Sequence, residues 1–372
     1  MDDRERYILL NLIPDIGTIR VRKLLEAFGS LRALFAASET QLRQVDGIGL
    51  VLAARVGQAC RKTNALDEEL RLAKQAGCRV VTQVEKGYPT PLTQISDPPL
   101  ALYLKGEWID DDTTAVGVVG SRRASLYGHQ MAQRLSYDLA LRGVTVVSGL
   151  ARGIDGEAHR GALKANGRTL AVLGCGLSRI YPPEHDELAE QIAQHGAVIS
   201  EYPMRMDPLA QNFPRRNRLI SGLSLGVVIV EAANRSGALI TADCALEQGR
   251  EVFAVPGKAD ALTAQGTNQL LKQGAKLVTS VEDILEELRL EPIPVTQPAA
   301  SASATERLRS IPGITSEEHT LLNQLSADEP NDLDALAAKS GLAASTCAAT
   351  LLGLELKRLV KQLPGKRFVR RG

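Results

Sequence analysis

Arginine and small residues recur together at several places in the middle of this chain, and the pairing has a definite chemistry. The segments are Gly120-Ser121-Arg122-Arg123, Ser148 to Asp155 (SGLARGID), Gly174 to Arg179 (GCGLSR), Phe213 to Arg218 (FPRRNR) and Ser236-Gly237. Glycine and serine let a backbone approach a ligand closely, and a guanidinium is a planar fork that matches two oxygens of one phosphate. A mononucleotide pocket needs one phosphate loop and one or two charges. Arginines spread over four segments exceed that, and a phosphodiester track accounts for the surplus. If Arg122, Arg152, Arg215, Arg216 and Arg218 each met a phosphate, single-strand affinity would fall with salt at a slope of about −0.7 per contact. The competing reading for any one arginine is an ion pair with Asp155, Glu201 or Glu231. Aromatic residues are only 3% of the chain, so stacking platforms are few. Phe213, directly before the arginine run, is placed to stack on a base or to staple a helix start into the core; Tyr181 and Tyr202 are weaker candidates.

Such residues need a scaffold that brings distant segments to one rim. From Ala115 to about Leu290, short apolar runs alternate with helix-length segments: AVGVV (115–119), VTVV (144–147), TLAVL (169–173), AVIS (197–200), GVVIV (226–230) and EVFAV (251–255). Strands apolar on both faces and separated by helices predict a parallel sheet covered on both sides, an α/β doubly wound Rossmann-like domain. Ligands of such sheets lie beyond the carboxyl ends of the strands, where the arginine-bearing segments fall.

The flanks differ. Residues 1–63 state helix, tight Ile-Gly turn, helix twice, at Ile13-Pro14-Asp15-Ile16-Gly17 and Val45-Asp46-Gly47-Ile48-Gly49. This predicts a helix-hairpin-helix domain, whose turns either hold a phosphate at a helix start or use glycine only for close packing. Residues 64–113 are read as a lead-in with one extended piece (Arg79 to Val84) and a proline-rich run, so that the Rossmann-like domain with its lead-in covers 64–290. Residues 291–304 (EPIPVTQPAASASA) are a tether, and 305–372 a winged-helix-like domain of three short helices with a basic tail. In 317–355 there are seven acidic side chains and one basic one, Lys339, whereas 357–372 holds seven basic side chains and no acid. The candidate recognition helix, LAASTCAATLLGLEL (342–356), lacks the Arg, Lys, Asn or Gln that read base edges, so sequence-specific duplex recognition is not expected of it.

The 372 residues carry 44 Lys+Arg against 43 Asp+Glu, with 44% hydrophobic side chains. The length supports two or three cored domains and excludes global disorder. The near-zero net charge places any affinity for a polyanion in local clusters. Cys60, Cys78, Cys175, Cys244 and Cys347 are scattered, which excludes a recognisable zinc site and argues against a disulfide framework. No leader or membrane span is recognised, and the chain is read as cytoplasmic.

Gly120-Ser121-Arg122, SGLARGID with Ala158-His159, FPRRNRLISGLS (213–224), SGALITA (236–242), GREVFAVPG (249–257) and GTNQLLKQGA (266–275) together resemble the DNA-processing protein A family, also called Smf. The blocks run through the Rossmann-like region in the family's order. The resemblance implies a binding protein rather than an enzyme, one that holds incoming single-stranded DNA during natural transformation and loads the RecA recombinase onto it. It implies DNA contacts at Ser121, Arg122, Phe213, Arg215, Arg216, Asn217, Arg218, Ser236 and Gly237, to which the pattern of arginines and small residues adds Gly120 and Arg152. Which of Arg215 and Arg216 meets phosphate stays open. It also implies a homodimer through Asn268 to Leu285, and no cofactor, metal or membrane.

Enzymatic alternatives are less well supplied. No GxxxxGK[ST] loop occurs, Gly174-Cys175-Gly176 lacks the third glycine of a dinucleotide fingerprint, and Ser148 is not in a GxSxG elbow. The remaining rival is a nucleotide phosphoribohydrolase of the lysine-decarboxylase-like class, with Glu231 as its carboxylate, but the double glycine of that class is missing from SGALIT (236–241).

Overall fold

The computed structural model describes residues 1–61, 64–290, 315–325, 330–357, 359–363, 365 and 367–370. The expected tether at 291–304 lies outside the described residues. The chain divides into two units, Met1–Val295 and Thr296–Gly372.

The first unit opens with a helical layer. Helix α1 (Asp3–Asn11) starts on Asp2, whose carboxylate accepts from the Glu5 backbone while the Glu5 side chain returns to the Asp2 N–H, a reciprocal cap. Helices α2 (Thr18–Phe28), α3 (Leu31–Ala36), α4 (Glu39–Leu42) and α5 (Leu50–Arg61) follow. Gly29 ends α2 in the left-handed conformation at φ 76°. The two Ile-Gly turns join α1 to α2 and α4 to α5. Their isoleucines, Ile16 and Ile48, are buried with Leu24, Leu34, Leu42 and Val56, so the repeat encodes one apolar plug per turn. The first hairpin leans on its own chain: Thr18 donates its hydroxyl to the Pro98 carbonyl and Arg22 donates to Ser96 O at 3.0 Å.

Among the described residues the main sheet has nine strands in the order β1-β2-β6-β5-β4-β3-β7-β8-β9. They are β1 (Cys78–Thr82), β2 (Ala101–Gly106), β3 (Ala115–Val119), β4 (Thr145–Ser148), β5 (Thr169–Leu173), β6 (Ala197–Ser200), β7 (Gly226–Ile229), β8 (Glu251–Ala254) and β9 (Lys276–Leu277). Every pair from β6 across to β9 is parallel. The lead-in differs from its expected role. Its helix α6 (Asn64–Gln75) precedes β1, and ALYLKG forms β2, which pairs antiparallel with both β1 and β6. The segment is therefore part of the sheet.

Alternate residues of each central strand enter opposite cores. Val116 and Val118 of β3 pack beneath α7 (Leu126–Leu141) and α8 (Ile154–Lys164), whereas Ala115 and Val119 face α10 (Asn212–Gly222) and α11 (Gly237–Glu247). Helix α9 (Asp186–His195) covers β5 and β6, and α12 (Gln265–Lys272) and α13 (Val281–Glu287) close the far end. The chain steps outward from β3 through β4 and β5 to β6, then returns to place β7 on the other side of β3. The order reverses there, and a crevice opens beyond the carboxyl ends of β3 and β7.

The second unit has helices Ser316–Gln324, Leu333–Ser340 and Ala344–Leu356 and a three-stranded sheet, β10 (Asn331–Asp332), β12 (Arg367–Arg370) and β11 (Val360–Leu363) in that spatial order. Gly341 separates the second and third helices at φ 69°, the left-handed C-cap that glycine favours. Leu321, Leu336, Cys347, Leu351, Leu354 and Phe368 form its core. The described strands of the basic tail, β11 and β12, pair antiparallel as the wing of this unit. Among the described residues no single helix is long and apolar enough to cross a membrane.

Candidate nucleic-acid interface

A cleft of about 610 Å³ occupies the switch point. Its near wall is the loop after β3, Gly120 to Arg123. Its far wall is the start of α11, Gly237, Ala238, Ile240 and Thr241, and its third side is the start of α10 with Phe213, Pro214, Arg216 and Asn217. Sequence spacing offered these segments separately, and the strand order is what joins them.

Close backbone packing holds the near wall. Ser121 N–H donates to Glu231 O at 2.7 Å, and Ile154 N–H donates to Ser121 O at 3.2 Å. A Cβ on Gly120 would lie 2.6 Å from Ile154 Cγ1, and one on Gly153, at φ 74°, would lie 2.3 Å from Ser121 O. Both glycines are thus packing requirements of the loop. Arg122 is exposed, with its guanidinium carbon 5.2 Å from the centre of the Phe213 ring in a cation–π arrangement. No carboxylate pairs with Arg122 or Arg123 among the described residues, and both line the cleft. Arg123, which the site reading left out, was visible as the next residue of the same loop.

Phe213 is half-buried. Its ring meets Tyr181 at 5.7 Å between centroids and covers Gly174, where a Cβ would sit 3.1 Å from ring Cδ1. A Cβ on Gly176 would collide with Pro203 O at 2.1 Å. Gly174-Cys175-Gly176 therefore makes room for Phe213 and for the chain at 203–204, which explains a GxG pair with no third glycine. The Cys175 thiol is pushed up to about 11 by burial. Tyr181 gains its place through the Phe213 contact, a partnership that spacing could not show.

The arginines separate into three groups. Arg122 and Arg215 are exposed without an ion pair among the described residues. Arg152 is exposed at the rim and paired with Glu184. Arg216 and Arg218 are not rim charges, which corrects the reading of five convergent guanidiniums. Arg216 is 3% exposed and donates to Gly149 O at 2.8 Å and to the Val172 carbonyl. Its charge faces the buried Asp155, whose carboxyl is raised by burial against the pull of Arg216, while burial lowers Arg216 itself. Arg218 donates both Nη atoms to Glu201, at 2.9 and 2.7 Å, and Nε to Asp97 at 2.7 Å. The ion-pair reading against Glu201 holds for this residue. Asn217, 8% exposed, takes Nε–H of Arg216 on Oδ1 and donates to Gly237 O at 3.3 Å, so it braces α10 against α11.

Ser236 caps α11, its hydroxyl accepting from Ala238 N–H at 3.3 Å, and nothing lies within 4 Å of a Cβ built on Gly237. The far wall therefore presents an open helix start, where free N–H groups and the helix dipole favour an anion. Glu231 is 5% exposed and accepts from Ser125 N–H at 2.8 Å, so it anchors the start of α7. Of the eleven residues read as DNA contacts, Gly120, Ser121, Arg122, Phe213, Arg216, Asn217, Ser236 and Gly237 line the cleft, and Arg152, Arg215 and Arg218 do not.

Three family models match the chain: "DNA recombination-mediator protein A" over residues 79–289, "DprA winged helix domain" over 296–366 and "Helix-hairpin-helix motif" over 8–65. The first covers more than half of the chain. This chain belongs to the DNA recombination-mediator protein A family. It is 42% identical to Protein Smf of Escherichia coli over 325 residues, 87% of this chain and 85% of that protein. It is 43% identical to DNA processing protein DprA of Bacillus subtilis over 63% of this chain and 79% of that one. The X-ray structure of DNA processing protein A from Streptococcus pneumoniae superimposes with a TM-score of 0.68 at 34% identity, covering 77% of this chain and 99% of that chain. The family member from Helicobacter pylori, described for its unique single-stranded DNA binding mode, gives 0.52 at 31% identity over 57% of this chain and 95% of that one.

Proposed function

We propose that this chain grips single-stranded DNA, without base-sequence preference and without cleaving it, in the cleft at the switch point, and that it passes the bound strand to the RecA recombinase. The observation that carries the reading is the unpaired Arg122 guanidinium over the Phe213 ring, facing the open start of α11 across the cleft. One wall offers a charge for phosphate, the other N–H groups, and the ring between them offers a face for a base. A 610 Å³ cleft suits one or two nucleotides, with the strand continuing over the rim past Arg123, Arg152 and Arg215. The reading includes a homodimer through Asn268 to Leu285. The edge position of β9 and the 47% exposure of Leu277 on it support that surface.

The phosphoribohydrolase alternative needs a free carboxylate at Glu231, and that carboxylate is engaged by the backbone of α7. Filter binding of oligo-dT separates the two activities. The binding reading expects Arg122→Ala to lose about 1.5–3 kcal/mol, the scale of one charge-assisted hydrogen bond, and to flatten the salt slope by about 0.7. Unchanged affinity and slope would remove the cleft as the DNA site. Release of free base from nucleoside monophosphates would favour the enzyme.

A further inference from the structure

We infer that Glu184 is an internal competitor for the DNA phosphate, holding Arg152 at the rim until a phosphate displaces it. The inference rests on the proposed DNA cleft and adds a residue outside the sequence signature of the site.

Arg152 is flanked by one residue that lines the cleft and one packed beneath its near wall. Ala151 lines it, and Gly153 packs so tightly that a Cβ there would sit 2.3 Å from Ser121 O. The Arg152 side chain nevertheless spans to Glu184, to which it donates through Nε. The carboxylate is presented by the segment after Tyr181, a cleft-lining residue whose ring is tilted against Phe213 at 5.7 Å between centroids, so the pair lies next in sequence to the cleft's aromatic residues. Both members stay about half exposed, 52% for Arg152 and 49% for Glu184. That separates them from Arg218, which is enclosed by two carboxylates with 17% exposure. A pair so open to water contributes little to folding and exchanges partners readily. A phosphate oxygen offers Arg152 the same charge and geometry as the carboxylate. Breaking the Arg152–Glu184 pair therefore subtracts from what the phosphate contact gains, which weakens binding and speeds release. A protein that hands its strand onward gains from both.

The test uses the full chain with oligo-dT and measures affinity across a range of salt. Glu184→Gln keeps the shape and removes the competitor, so binding should tighten by about threefold to tenfold at low salt. The salt slope should stay as it is, since Arg152 meets a phosphate in both proteins and only the cost of breaking its pair is removed. In an Arg152→Ala background, the same change should give no gain. Glu187→Gln removes an equal charge from exposed Glu187 in the first turn of α9, without freeing Arg152, and should change neither quantity. Equal effects of Glu184→Gln and Glu187→Gln, persistence of the gain without Arg152, or no effect of Glu184→Gln would each overturn the inference. Arg122→Ala in the same series tells the failures apart: if it weakens binding while Glu184→Gln does nothing, the latch fails and the cleft stands, and if both are silent the cleft fails.

Discussion

Arg215, Arg216 and Arg218 sit within four positions of one another on a single helix and do three different things. Arg215 faces water, Arg216 is buried against carbonyls above Asp155, and Arg218 is locked between Glu201 and Asp97. Residue type and spacing could not separate them, because the partners come from β4, β5 and the segments around 97 and 201. The difference is measurable. Arg218→Ala strands two carboxylates that its burial had paired, so it should cost about 3 kcal/mol of stability in a denaturant titration, whereas Arg215→Ala should leave the midpoint unmoved and lower only the salt slope of DNA binding. His159 adds a pH dependence. It is fully buried, its Nδ1 meets Thr169 Oγ1 at 2.7 Å, and its Nε2 has no partner among the described residues. The Thr169 hydroxyl donates to Val146 O, so Nδ1 carries the proton and Nε2 is bare. Burial, helped by His185, Arg160 and Arg216, holds this imidazole down at about 3. The unfolded chain therefore takes up the proton first as pH falls below about 6.5. Stability supplied by neutral His159 is full above that value and declines below it, by up to about 1.4 kcal/mol per pH unit. Buried Asp155, shifted upward, contributes in the opposite direction. Comparison with His159→Asn isolates the histidine: the wild-type chain should lose stability between pH 6 and 4 more steeply than the variant in urea titrations at roughly those pH values.

At the scale of elements, the wound strands were legible because burial on both faces forces them to be apolar throughout. AVGVV and TLAVL coincide with β3 and β5 residue for residue. The extended piece at 79–84 coincides in part with β1, but its pairing into the sheet and β2 itself were not legible, because β2 follows a proline-rich run where ALYL reads equally well as packing of a connector. The order of strands was not legible at all, since any parallel pair obeys the same apolar pattern, and with it the convergence of the β3 and β7 loops stayed hidden. Glycines mark where elements meet. Gly153, with positive φ and Ser121 O beneath it, carries the contact between α8 and the Arg122 loop. Gly153→Ala should lower stability by about 2 kcal/mol or more and weaken oligo-dT binding together with it, read by denaturation and filter binding on the same sample. Loss of stability without loss of binding would detach the loop from α8.

For the whole molecule, the charge asymmetry seen in the sequence falls on distinct structures. The described acidic residues Glu317, Glu318, Asp334 and Glu355 lie on the helices of the second unit, and the described basic residues Lys361, Arg367 and Arg370 lie on its wing. The third helix of that unit exposes Ala348, Ala349, Leu352 and Leu356, a surface with no base-reading groups. Deleting residues 304–372 should therefore retain most oligo-dT affinity in a filter assay, because the unpaired arginines at 122, 123 and 215 belong to the first unit. The deciding quantity is the position of the strand relative to the switch-point cleft, and crosslinking of a photoreactive single-stranded oligonucleotide to the full chain, followed by peptide mapping, measures it. Crosslinks should fall in peptides holding Ser121 to Arg123, Phe213 to Asn217 and Ser236 to Thr241. Crosslinks confined to the wing at 360–370 or to the hairpin turns at 12–17 and 45–49 would contradict it.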